Sequence, residues 1–259
     1  MSVTRRSFFN STTAAAAAAS VDALAMPNIL KARHRRISQS ELTAAIEQHA
    51  VWLEDGNRGK RAVFSDCDLT GLTFHNSSDA FVNLRGSDFT GADLTGVIAR
   101  DISFLWASLQ NARLSWSRLE KLTFSHANLR CAECDNVLWG WDATSLANPG
   151  HANPCDGSSF QYTYGGKANF ARAAIRGFFH EAHFAGCNFA DARLSYSEFC
   201  GTGFSASTFY EADLTRTKFN FAKLSHVRFR HANCTYTDFT NAEIGYHVTF
   251  PAGLGVGAS

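Results

Sequence analysis

The chain places Phe or Leu at nearly every fifth residue from Phe64 to Leu129, and again in the same phase from Phe179 to Phe239. Stepping in fives over 64–139 and 179–244 meets thirty positions, of which twenty-four are Phe or Leu. The position two earlier is Ala, Ser, Cys, Thr or Gly in twenty-three of the thirty. A helix needs apolar positions at 3.6 spacing and a strand needs period two, so a period of five would scatter this apolar set over either surface. A short fixed period instead predicts a solenoid, whose repeats bury their apolar side only by stacking on neighbours. Four five-residue sides make a square coil, and coils stack at about 4.8 Å. The large residue fills the axis, and the small one two before it lets the corner backbone come close.

Segments such as Cys67-Asp68-Leu69-Thr70-Gly71, Ala92-Asp93-Leu94-Thr95-Gly96, Ala127-Asn128-Leu129-Arg130-Cys131 and Ala212-Asp213-Leu214-Thr215-Arg216 carry this pattern. They resemble the pentapeptide repeat, A-(D/N)-L-x-x, over roughly 62–246. The resemblance implies an all-β fold, a right-handed quadrilateral β-helix.

Departures from the period locate irregularities. Asp79 falls at an inward position within Asn76-Ser77-Ser78-Asp79-Ala80. A buried carboxylate there is costly unless paired, so a local bulge is expected, with Phe81 taking over the core. Ala99 leaves the axis underfilled, with Val97, Ile98 and Ile102 expected to compensate. Between Trp139 and Phe170 the pattern breaks across Pro149 and Pro154, which reads as one coil with an irregular loop at 140–166. Ala168-Asn169-Phe170 and Ala173-Ala174-Ile175 resume the repeat one residue out of phase, and Phe179 restores it.

At the N-terminus, Thr4-Arg5-Arg6-Ser7-Phe8 precedes a mild apolar run containing six alanines and then Ala23-Leu24-Ala25. This is similar to a twin-arginine export signal over 1–25, with Arg5 and Arg6 as the paired arginines and a departure from the usual motif at Phe9 and Asn10. The implied location is periplasmic or secreted, and cytoplasmic if the paired arginines are accidental. A basic linker over 26–37 is expected to follow. Ser38-Gln39-Ser40-Glu41 fits a capping box, predicting a short α-helix over 38–56 that covers the first coil through Trp52 and Leu53. The other end offers a Gly-rich tail over 247–259, a weak cap that leaves room for a homodimer through the C-terminal coil. A strictly monomeric species in light scattering well above micromolar concentration would exclude that dimer.

Charge narrows the function classes. The 24 basic and 23 acidic residues fall to 22 of each without residues 1–25, which gives no global footprint for nucleic acid or membrane. No run has the length and apolarity of a transmembrane span. Between Asp213 and Asp238 there is no acid, while Arg216, Lys218, Lys223, Arg228 and Arg230 project outward by repeat phase. These form a candidate anion-binding strip for lipid headgroups, a cell-envelope polymer or nucleic acid, or for a protein partner, weighed against a merely solvated face. Cys67, Cys187 and Cys234 occupy inward slots as small hydrophobes. Cys131 and Cys134 diverge around a corner, so no metal site is expected, and no cofactor fingerprint is present. His180 and His183 are three apart on different faces and read as surface polar residues. The loop gathers Trp141, His151 and Asp156, a candidate site because long loops on rigid scaffolds often carry function.

The leading reading is therefore a non-enzymatic exported scaffold that mediates protein or envelope interactions. The family resemblance supplies a second, a DNA-mimicking protein that binds and protects topoisomerases, against which the neutral charge and the basic strip count. A third, an enzyme or cofactor carrier using the 140–166 loop, needs convergent titratable groups that the sequence does not identify.

Overall fold

The computed structural model describes residues 34–75, 81–140, 158–252 and 254. They wind into a β-solenoid of about seven turns with one short helix. Strands of two or three residues stack in parallel register, as in His183–Ala185 on Gly203–Ser205 on Lys223–Ser225. The pairing sorts the residue before each core position into four ladders. Side one runs through Asp88, Ser108, Asn128, Tyr164, His183 and Lys223. Side two runs through Asp93, Arg113, Glu133, Asn169 and Arg228. Side three includes Ile98, Arg118, Leu138 and Arg193, and side four includes Thr123, Ser159, Glu198 and Lys218.

Most corners are turns in which the N–H three residues beyond one residue closes back on that residue's carbonyl, as from Leu72 to Leu69 at 3.1 Å, whereas those after Phe184, Phe204 and Leu224 lack that bond. The third turn residue sits in the left-handed region, whatever its type: Trp106 at φ 60°, His126 at 58° and Tyr162 at 55°. Left-handed backbone costs a non-Gly residue about 1–2 kcal/mol. Here the same residue's N–H is bonded to the next coil, as in Trp106 to the Ser125 carbonyl at 3.1 Å, which offsets it.

Inside, Phe rings stack coil upon coil. One column runs Phe170, Phe189, Phe209, Phe229, Phe250 with neighbouring centroids 4.8–5.3 Å apart. Another runs Phe179, Phe199, Phe219, Phe239 at 4.4–5.0 Å. Rings of adjacent sides meet edge to face, as Phe199 and Phe204 do at 66°, so the quadrupoles are matched in both directions. Buried hydroxyls in the small slot bond back to the preceding coil, for example Thr202 Oγ1 to the Phe179 carbonyl and Ser207 Oγ to the Phe184 carbonyl at 3.2 Å.

The helix α1 spans Gln39–Glu54, and Ser38 and Glu41 make the reciprocal capping-box bonds. Its buried residues are Leu42, Ile46 and His49, while Trp52 and Leu53, expected to do the covering, stay half-buried. The Gln39 amide completes the open edge of the first coil, donating to the Thr73 carbonyl at 2.7 Å and accepting the Thr73 N–H at 3.0 Å. This satisfies an edge that would otherwise invite another strand. Arg35–Arg36, placed in a linker by the sequence, instead form strand β1 and pair with Cys67–Asp68.

The irregularities are sharper than the sequence suggested. Thr73 pairs with Ile98, twenty-five residues on, whereas Val82 pairs with Ile102, twenty on. Five residues are therefore extra between them, and Asp79 itself lies outside the described residues. Phe81 does not enter the core: it is 60% exposed, and Val82 and Leu84 are buried instead. Val97 and Ile102 do pack around Ala99, but Ile98 points outward on side three at 50% exposure. Residues 158–166 are regular coil, with Phe160 fully buried and stacked on Phe124 at 5.4 Å, so the interruption is shorter than 140–166. A four-residue side from Ile175 to Phe179 restores the phase. The coil also continues past 246, because Arg228 pairs with Thr249 and Phe250 stacks on Phe229 at 1°.

Candidate functional site

With the axis filled by Phe and Leu, whatever the protein does must happen outside. The corner between sides four and one carries the most distinctive outward chemistry. Trp106, His126 and Tyr162 are each two residues past a core Phe, and occupy the same corner on successive coils. Trp106 and His126 stack at 4.0 Å and 4°, and His126 and Tyr162 at 4.9 Å and 13°. Beside them on side one, Tyr164 stacks on His183 at 5.6 Å. Trp106 is 55% exposed and Tyr164 53%. The seam has no motif of its own. Its trace in the sequence is the spacing of Trp106 and His126 by one turn, and the interruption before Tyr162 hides the third member.

The five basic residues of the candidate strip do not gather on one side. Lys218 lies on side four, Lys223 on side one and Arg228 on side two, so the strip wraps around a coil. Lys218 Nζ is 2.8 Å from Glu198 Oε1, and Lys223 Nζ is 4.0 Å from Glu243. The Arg216 guanidinium lies over the Tyr236 ring at 4.9 Å. Arg228 lies on the side-two ladder, paired with Thr208 and Thr249, and Arg230 falls in the turn that follows Phe229. Lys223 also borders a shallow groove of about 410 Å³ on side one, which passes His183, Gly203 and Glu243. Trp141, His151 and Asp156 of the loop, and Arg5 and Arg6 of the export motif, lie outside the described residues.

One convergence was not legible in the sequence. His180, Glu198 and Cys200 bring a nitrogen, an oxygen and a sulfur within 4.8 Å of one another. Residues one past the core position on side four stack coil upon coil, which puts His180 beside Cys200. The Glu198 carboxylate is already shared, by His180 Nε2 at 3.2 Å and by Lys218. Burial would push the Glu198 carboxyl up, but the bonds from Lys218 and His180 outweigh it and hold its pKa low. Burial first, and Glu198 second, push the Cys200 thiol up. A cation would have to displace the Lys218 ammonium and take the proton of a thiol that resists losing it. The trio is better described as an ion-paired cluster.

Asp213 shows how the ladders hold carboxylates. Burial opposes its charge, but hydrogen bonds from Ser195 Oγ at 2.6 Å, Thr215 Oγ1 at 2.6 Å and the Thr215 N–H at 3.0 Å win, and its pKa is lowered.

Two family models match the chain, pentapeptide repeat region over 179–254 and pentapeptide repeats over 80–104 and 107–137. The chain belongs to the pentapeptide repeat family. Among solved members of the fold it is similar to a pentapeptide repeat protein, Rfr23, from the cyanobacterium Cyanothece 51142, at 13% identity over 49% of this chain and 89% of that one, TM-score 0.42. It is also similar to HetL of Nostoc sp. strain PCC 7120, involved in heterocyst differentiation regulation, at 18% identity over 75% and 81%, TM-score 0.39. QnrB1, a plasmid-mediated fluoroquinolone resistance protein, matches at 14% identity over 72% and 91%, TM-score 0.34. No curated protein sequence matches. No helix among the described residues of this pentapeptide repeat chain is long and apolar enough to cross a membrane.

Proposed function

We propose that this pentapeptide repeat protein is a non-enzymatic, exported scaffold whose aromatic corner, Trp106–His126–Tyr162, holds a protein partner. The observation that carries the reading is the exposure of stacked Trp and Tyr rings on a rigid edge. Trp and Tyr are enriched at the centres of protein interfaces, and ordering them in advance lowers the entropy cost of binding. Absence of a shared face among the five basic residues favours this corner over the strip as the principal surface.

A photo-crosslinking phenylalanine analogue placed at 106 or 162 in the native host tests it. Adducts of one discrete mass are expected from those positions, and none from 116 or 236, which are exposed aromatics on other corners. Equal adducts from all four positions would refute the seam. For export, the twin-arginine-like motif supports the reading, and Arg5 and Arg6 both replaced by Lys should leave the protein in the cytosol on fractionation. Unchanged distribution of that variant would remove export from the proposal.

A further inference from the structure

The aromatic seam stops at a gap. The coil before Trp106 has Gly86 at the same corner, with its N–H bonded to the Leu105 carbonyl at 2.8 Å just as Trp106 bonds to Ser125. The slot is therefore in register with the stack but empty of side chain, and a Cβ built on Gly86 would meet nothing within 4 Å. One face of the Trp106 indole is covered by His126, and the other opens on this slot. The opening is a cleft of about 420 Å³ lined by Trp52, Leu53, Arg85, Gly86 and Trp106. Trp52 is braced from behind by the buried His49 ring, 5.2 Å away at 18°. His49 is held in turn by the Ala62 N–H on Nδ1 at 3.0 Å. Both aromatic walls are thus set before anything binds.

We propose that the cleft at Gly86 binds a small planar aromatic anion, its ring stacked on the open face of Trp106 as the missing member of the seam. Stacking in register favours a flat ring at the coil spacing of about 4.8 Å. The charge follows from Arg85, the one ionised residue among the described residues that line the cleft. A guanidinium at an aromatic wall pairs with a carboxylate or phosphate on the ring's edge. The Arg61 guanidinium reinforces the floor, with Nε donating to the Gly86 carbonyl at 2.6 Å. This site does not depend on the seam being a protein interface.

The test uses the full chain and two probes of one shape, 2-naphthoate and its neutral amide, followed by ligand-observed NMR. For the unsubstituted protein, saturation transfer and upfield shifts of the naphthalene protons are expected for the anion. Gly86→His fills the slot with a residue type that the same corner already accepts at His126 in the left-handed region, and should abolish both signals. Trp106→Leu should do the same and serves if the Gly86 variant folds poorly. Arg85→Gln should weaken naphthoate about tenfold and leave the amide unchanged. No binding of naphthoate at millimolar concentration, or equal binding by Gly86→His, would overturn the site. Equal affinity for the amide and the anion in the unsubstituted protein would overturn the charge assignment.

Discussion

The coils after the interruption at 141–157 and those before it solve the same packing problem differently. From Phe179 onward two sides are lined by continuous Phe columns and a third begins with stacked Phe184 and Phe204, and successive residues pair at twenty-residue intervals up to Glu243. Before it the axis mixes Leu with Phe, contains Ala99, and admits five extra residues in the first coil. The outward face shows the reverse contrast. The seam and its cleft belong mainly to the less regular coils, while the regular ones present separated charges with near partners. Regularity inside and distinctive chemistry outside are therefore set by different slots of the same repeat.

The largest expected effect that sharpens this contrast is in the Phe columns. Phe209 stacks on Phe189 at 4.8 Å and on Phe229 at 5.0 Å, with further edge contacts to Phe199, Phe204 and Phe219. Phe209→Ala should cost about 3–5 kcal/mol in urea unfolding. Leu109→Ala, equally buried in the earlier coils, loses no ring stack and should cost less, within about 2–4 kcal/mol. Equal costs would break the comparison.

A smaller effect separates two serines of one slot. Ser197 Oγ donates to the Ile175 carbonyl at 3.1 Å and accepts the Gly177 N–H at 3.3 Å. Ser87 Oγ is buried with no hydrogen-bond partner. Ser197→Ala should cost about 1–3 kcal/mol, whereas Ser87→Ala should be neutral or stabilise by up to about 1 kcal/mol. A destabilised Ser87→Ala would show that its hydroxyl is satisfied after all.

The smallest effect is at alkaline pH. Burial pushes the Cys187 thiol up to about 12, from an ordinary value of 9.0. Because the folded pKa is raised, its contribution is intact below pH 9, where neither state ionises. It is lost as pH climbs from about 9 to about 12, where the unfolded thiol ionises and the folded one does not. Cys187→Ala should flatten that limb of the stability curve. At neutral pH a thiol reagent should label the exposed Cys131 and spare Cys187 and Cys134.

Most of the fold was legible because the five-residue period is a direct image of the side length, so inward residues declared themselves wherever the period held. What stayed hidden depended on which residues meet one turn later. Insertions shift that meeting, so Tyr162 joined the seam thirty-six residues after His126, beyond the reach of a fixed spacing. The approach of His180 to Glu198 and Cys200 follows the regular twenty-residue turn, but none of the three carries a motif that would single it out. The basic strip misled for the converse reason: residues five apart share a slot but not a side, so Lys218, Lys223 and Arg228 look adjacent in sequence and diverge in space. Phe81 shows a third limit, since hydrophobicity alone placed it inside and the strand register placed Val82 there.

On the proposed reading the seam serves binding and the interior serves the fold, and urea unfolding of the triple variant Trp106→Ser, His126→Ser, Tyr162→Ser separates the two roles. A loss of about 2 kcal/mol or less is expected, the sum of two exposed ring contacts. A loss as large as that of Phe209→Ala would contradict that reading, because the seam would then be holding the coils together instead of waiting for a partner.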